Sequence, residues 1–226
     1  MILYAKLASL SYHYYANHDI NETVDGFGFM PEFTDNESAT LANPELNQIV
    51  LSIRGTKPSS VDDLKADGMI LMGMLRYSGR YKNALKKIKQ LIRVKKEASL
   101  IVVGHSLGGS IALELAKDPA VFRAVNMFYC YNPGFTPADA MASLTKSGKD
   151  RNKIKQKVKI YTTGARDLIS AFSGLHPSAK TVRGIDGHFG LGSHKLSTFI
   201  PKDQRIAGAG WLEEDAAGWS ELPFDD

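Results

Sequence analysis

Apolar residues recur along this chain in short blocks whose period changes from one segment to the next. Leu3, Leu7 and Leu10 predict a helix over Met1 to Tyr15. Two strands are predicted at Ser38 to Asn43 and Gln48 to Arg54, with a turn at Pro44 between them. In the second, Ile49, Leu51 and Ile53 alternate with Val50 and Ser52, so much of it is apolar on both faces, as in a buried sheet. Tyr81, Leu85, Ile88 and Ile92 fall at helical spacing, with Lys82, Lys86 and Lys89 elsewhere on the wheel, which predicts an amphipathic helix. Leu100 to Val103 is a short, fully apolar strand, and Leu107 to Lys117 a second helix ending near Asp118-Pro119. Ala124 to Tyr131 reads as a buried strand stopped by Asn132-Pro133-Gly134. Ala138 to Thr145 reads as a weaker helix and Val158 to Thr162 as another strand. Strands and helices in alternation imply an α/β fold with a largely parallel sheet. No internal repeat or long Pro/Gly/Ser-rich linker divides the chain, so residues 1–226 read as one domain ending in an acidic tail over 201–226.

Composition narrows the classes. At 226 residues, 43% hydrophobic and 23% charged, the chain is long enough to bury a core and is not collagenous, coiled-coil or largely disordered. The single cysteine, Cys130, excludes an intrachain disulfide framework and a Cys-based zinc site. Lying in a strand, it is expected in the core, not as a second nucleophile. The longest fully apolar stretch, Met69 to Leu75, is too short to span a bilayer. The first residues lack a basic n-region, so no signal peptide is expected and a cytoplasmic location is favoured. The net charge is +4, with basic runs at Arg80 to Lys96 and Lys146 to Lys159 and an acidic run at Leu212 to Asp226. A nucleic-acid partner would need aromatic platforms on a basic face, and the basic runs hold only Tyr81, so no nucleic acid is expected.

The informative segment is Leu100-Ile101-Val102-Val103-Gly104-His105-Ser106-Leu107-Gly108-Gly109. It fits the pattern G-x-S-x-G, with an apolar strand before it and a helical pattern after it, the context of a nucleophile elbow. So sharp a turn strains the serine, and glycines at 104 and 108 remove the Cβ atoms that would clash. The helix that follows aims its first amides at the site, which suits the Leu107 amide to a developing oxyanion. A serine nucleophile needs a base, and the base an orienting acid, in the chain order Ser, Asp or Glu, His. Asp167 follows the strand at Val158 to Thr162 and is the leading acid, with Asp186 as runner-up. His13 and His18 precede the serine, and His105 lies inside the elbow, where its side chain should point away from Ser106. His194, His188 and His176 remain, with His194 favoured because it opens the segment running to Ile200.

Four segments resemble the fungal-type triacylglycerol lipases, the class 3 lipase family of α/β-hydrolases. Asn47 to Thr56 is similar to the family's apolar strand ending in Arg-Gly-Thr, and Val102 to Gly109 closely resembles its elbow. Tyr161 to Ile169 resembles the segment holding the acid, and Ser193 to Phe199 the late histidine segment. Asn132-Pro133-Gly134 is only loosely similar. The resemblance implies an α/β-hydrolase fold, a Ser106–Asp167–His194 triad, and an oxyanion hole at Thr56 and Leu107. One departure is visible: the family commonly has Asp-Trp after Arg-Gly-Thr, whereas this chain reads Val61-Asp62-Asp63-Leu64.

The expected reaction is ester hydrolysis through an acyl-enzyme, without metal or cofactor. The expected partner is a lipid or small-molecule ester, with transient contact at a lipid interface. From Lys57 to Leu75, Val61, Leu64, Gly68, Leu71 and Leu75 recur at helical spacing, and Met69, Ile70, Met72 and Met74 widen the apolar surface. That segment reads either as a lid or acyl-chain wall, through Met69, Leu71, Met72 and Leu75, or as a core helix at the sheet edge. Rival readings are a thioesterase or small-ester esterase with the same triad, and a non-catalytic lipid-binding or scaffold protein on the same fold.

Overall fold

Among the described residues, seven strands form one sheet whose spatial order is the order of the sequence. They are β1 (Gly28–Phe29), β2 (Ser38–Asn43), β3 (Gln48–Ile53), β4 (Ser99–His105), β5 (Met127–Tyr131), β6 (Val158–Thr162) and β7 (Ala179–Thr181). The structure is a computed structural model that describes residues 2–16, 23–55, 75–134, 148–163, 176, 178–182 and 195–205. β1, β2 and β3 pair antiparallel, and every pair from β3 to β7 is parallel. Parallel neighbours require crossovers, and right-handed crossovers between successive neighbours fall on one face of the sheet. The helices between the parallel strands pack there: α2 (Gly79–Val94), α3 (Leu107–Leu115), α4 (Pro119–Ala124) and α5 (Gly148–Lys157). The opposite face is covered by α1 (Ile2–Ala16) and the 3-10 turn Leu196–Phe199.

The period-2 pattern explains why both faces are dry. Ile49, Leu51, Ile53, Leu100, Val102, Phe128, Cys130, Val158 and Ile160 belong to the core under α2 and α3. Val50, Ile101, Val103, Tyr131 and Tyr161 face α1 and Phe199. Each fully buried large side chain contributes about 1.5–3 kcal/mol of apolar transfer, so the central strands anchor both layers.

The predicted strands at Ser38 to Asn43 and Val158 to Thr162 coincide with β2 and β6, and the helix built on Tyr81, Leu85, Ile88 and Ile92 is α2. The apolar run at Ala124 to Tyr131 divides differently. Its first residue ends α4, and β5 starts at Met127. Asp118 caps α4 by accepting from the Ala120 and Val121 amides at 2.9 and 3.1 Å, and Pro119 supplies its first turn. The predicted helix at Ala138 to Thr145 lies outside the described residues. Much of the basic run at Lys146 to Lys159 forms α5, whose Ile154 packs against the core. Lys95 caps the C-terminal end of α2, and it and Lys96 are exposed at the sheet edge opposite the carboxyl end of β4. Cys130 is fully buried, and burial pushes its thiol far above the usual range, as suits a core residue.

Candidate active site

Ser106 stands at the carboxyl end of β4 and is the N-cap of α3, with φ 55° and ψ −126°. A non-glycine residue with positive φ is strained by roughly 1–3 kcal/mol and persists only where its surroundings hold it. Here they do. The Ser106 amide donates to the Tyr131 carbonyl at 3.0 Å, and its carbonyl accepts from the Ser110 amide at 3.0 Å. A Cβ at Gly104 would overlap the Gly108 carbonyl, and one at Gly108 would overlap the carbonyl of Ile53. The glycines therefore let α3 sit directly on β4 and on the end of β3. The Ser106 side chain makes no capping bond to its own helix, so its hydroxyl is not used up by the turn that positions it. Leu107 is the first residue of α3, where amides have no partner within the helix.

A second strand end meets the serine. Gly55 follows β3, and a Cβ there would lie 2.9 Å from the His105 carbonyl oxygen and 3.1 Å from Ser106 Cβ. The Gly55 amide donates to Tyr12 Oη at 2.9 Å, and the same hydroxyl pairs with His105 Nδ1 at 2.8 Å. Alternation along β4 turns His105 toward α1, on the face of Val103, as expected from its place in the elbow. Burial pushes the Tyr12 hydroxyl up to about 12, so it stays protonated at neutral pH. The carbonyl of Arg54, in the same peptide as the Gly55 amide, accepts from Arg80 Nη2. Burial and the neighbouring Arg54 charge lower the Arg80 guanidinium below its usual range, against the pull of Glu37. Arg80 Nε is 4.0 Å from Glu37 Oε1 and is buried without a hydrogen bond.

The end of β6 is tied to this edge by Asn132, which is fully buried at φ 40°. Its amide donates to the Tyr161 carbonyl at 2.8 Å, and its Oδ1 accepts from the Thr163 amide at 3.0 Å. Ser110 Oγ donates to the Gly134 carbonyl at 3.0 Å, joining the end of β5 to α3. The carboxyl ends of β3, β4, β5 and β6 are thus held in one bonded rim around Ser106.

Of the expected site residues, Ser106 and Leu107 lie on this rim, and Leu75 is buried in the 3-10 turn Leu75–Tyr77. Thr56, Met69, Leu71, Met72, Asp167 and His194 lie outside the described residues, as do Asp186 and His188. His176 is engaged locally: its Nδ1 accepts from the Ser178 amide at 3.1 Å. Tyr12 and Arg80 were not singled out from the sequence as site residues, and no motif marks them; Asn132 was read only as part of the Asn132-Pro133-Gly134 segment that ends a strand. Among the described residues there is no cluster of His, Cys, Asp and Glu that could hold a metal ion.

A strained serine between a parallel strand and a helix, with a neighbouring strand end packed against it, defines an α/β-hydrolase. Solved structures are similar to this chain, the first of them sharing its fold. Lip2 lipase from Yarrowia lipolytica matches 74% of this chain and 72% of its own at 18% identity, with a TM-score of 0.51. A triacylglycerol lipase described as having a serine protease triad at its catalytic centre matches 74% and 71% at 15% identity, TM-score 0.48. Rhizomucor miehei lipase in its propeptide complex matches 74% and 60% at 14% identity, TM-score 0.47. No curated protein matches the chain. Residues 40–123, which run from β2 through the elbow into α4, match the model of the lipase (class 3) family. The fold is that of the α/β-hydrolases, and over residues 40–123 the chain is similar to the class 3 lipases.

Proposed function

We propose that this chain hydrolyses acylglycerol or phospholipid esters through a Ser106–His194–Asp167 triad and an acyl-enzyme. The observation that carries the reading is the backbone of Ser106, strained and buried at the β4–α3 turn while its hydroxyl makes no bond to the helix it caps. His194 takes the proton as Ser106 Oγ attacks the ester carbonyl, and Asp167 orients and stabilises the imidazolium. The amides of Thr56 and Leu107 receive the oxyanion, each worth about 3–4 kcal/mol in comparable sites. His194 then protonates the leaving alcohol, and water repeats the cycle on the acyl-enzyme. Acyl chains meet the apolar surface of Met69, Leu71 and Met72, whereas Leu75 is taken up by the core under α2 and lies outside that surface.

Hydrolysis of p-nitrophenyl esters from acetate to palmitate, and of emulsified triacylglycerol and phospholipid, tests this. Ser106→Ala is expected to lose at least about 10³-fold in kcat without unfolding. Undiminished turnover in that variant refutes the nucleophile. Preference for acetate over long acyl chains, with no emulsion activity, would favour a small-ester esterase. His194→Ala beside His188→Ala tests the base, and the reading fails if only His188→Ala is inactive.

A further inference from the structure

Gly55 sits where the end of β3 meets the elbow, and packing alone demands glycine. A side chain there would run into the Tyr12 hydroxyl, the His105 carbonyl and Ser106 Cβ. That demand has a conformational consequence. Glycine has the widest backbone freedom of any residue, so it does nothing to orient the chain around itself. The order must be imposed from outside.

We infer that Tyr12 and Arg80 are positioning residues for catalysis, which grip the Arg54–Gly55 peptide by its two ends and hold it against Ser106. The inference rests on the reading of Ser106 as nucleophile and of the residue after Gly55 as an oxyanion donor. The N–H of this peptide is taken by Tyr12 Oη at 2.9 Å, and its C=O by Arg80 Nη2. In a trans peptide the two groups point in opposite directions, so fixing both stops the plane from rotating. The grip comes from two layers of the fold. Tyr12 belongs to α1 on one face of the sheet, and Arg80 to the first turn of α2 on the other. The Tyr12 hydroxyl is also joined to His105, the residue before Ser106, at 2.8 Å. The same oxygen therefore touches both strand ends that form the site.

Energetics argue against a merely stabilising role for Arg80. Its guanidinium sits beside a like charge, Arg54, and its ion-pair partner among the described residues is Glu37, at 4.0 Å. One of its nitrogens is buried without a hydrogen bond. A partly buried charge with so loose a counter-ion is costly. What this one has is the carbonyl of Arg54.

Turnover of p-nitrophenyl butyrate by the full chain tests the inference, with competent sites counted by stoichiometric labelling with a p-nitrophenyl phosphonate. Tyr12→Phe keeps the ring and removes the hydroxyl. Its kcat per labelled site is expected to fall roughly 10–100-fold with KM within about 2-fold, because an oxyanion donor acts on the transition state. Arg80→Met should fall similarly, and Arg80→Lys, which restores one donor, should recover part of the loss. Unchanged kcat per labelled site in Tyr12→Phe overturns the inference, including when its melting temperature drops. Should Arg80→Met not fold, Tyr12→Phe decides alone. Ser106→Ala separates the two readings. If that variant still turns over, or wild type takes no phosphonate, the nucleophile assignment falls and the inference with it.

Discussion

Two glycines determine how closely the elbow can pack. At Gly108 an added methyl would overlap the carbonyl of Ile53, which is backbone held in a strand with neighbours on both sides. Neither partner can swing away as a flexible side chain would. Gly108→Ala is therefore expected to destabilise the fold by about 1–3 kcal/mol, the usual cost of overpacking. At Gly109 the nearest atoms are the Gly104 carbonyl oxygen and Pro133 Cβ, both at 3.2 Å. A shift of a few tenths of an ångström relieves that contact, so Gly109→Ala should cost less. Urea unfolding of the two variants side by side checks the order. Equal costs would mean that β3 yields more easily than its ladder implies.

Charged residues hold the helices to the sheet layer and to one another. Lys87 of α2 donates to Ser38 Oγ at 2.6 Å and pairs with Asp35 Oδ2 at 2.8 Å. Burial raises the Asp35 carboxyl, but Lys87 and two backbone amides outweigh it and hold the carboxyl below its usual range. Asp118 does the same work for α4, and its other oxygen pairs with Lys89 of α2 at 3.0 Å. Much of the basic run on α2 is accordingly structural: Arg80, Lys87 and Lys89 each have a named acceptor inside the fold. Asp118→Ala removes a cap and an ion pair together and is expected to cost about 1–2 kcal/mol. Asp118→Asn keeps a capping oxygen and should lose only part of that. Equal loss in both variants would assign the effect to Lys89 instead of the cap.

Over the molecule as a whole, burial of tyrosines on the α1 face sets an alkaline limit. Burial raises Tyr12 from 10.0 to about 12, with the Gly55 amide, Arg54 and Arg80 pulling the other way, and Tyr129 also rises to about 12. In each case the folded chain holds the proton more tightly than the unfolded chain. The stability this provides is complete below pH 10 and is lost as pH climbs toward 12. For Tyr12 the full loss is about 2–3 kcal/mol, two units at about 1.4 kcal/mol each. Melting temperature should fall between pH 10 and 12, less steeply in Tyr12→Phe than in wild type. Parallel curves would place the titration elsewhere.

How much of this could be read beforehand follows from the range of each interaction. β2, β4, α2 and the elbow were legible because their signals are local: period-2 and period-3.6 apolar spacing, and a glycine pattern within ten residues. β1 and β7 span two and three residues, too few to display a period. α5 was hidden because its pattern is nearly all charge, with Ile154 as its visible core contact. The boundary at Ala124 was missed although Asp118 and Pro119 stood in view, because the apolar run continues unbroken from α4 into β5. Spacing and residue type are enough to mark a strand, a serine and a helix in succession. The grip on the Arg54–Gly55 peptide is of another kind. Tyr12 reaches Gly55 across 43 positions and His105 across 93, and Arg80 reaches Arg54 across 26. Those pairings arise because the sheet stacks α1 and α2 on its two faces at the carboxyl ends of the same strands, a juxtaposition that no run of neighbouring residues encodes.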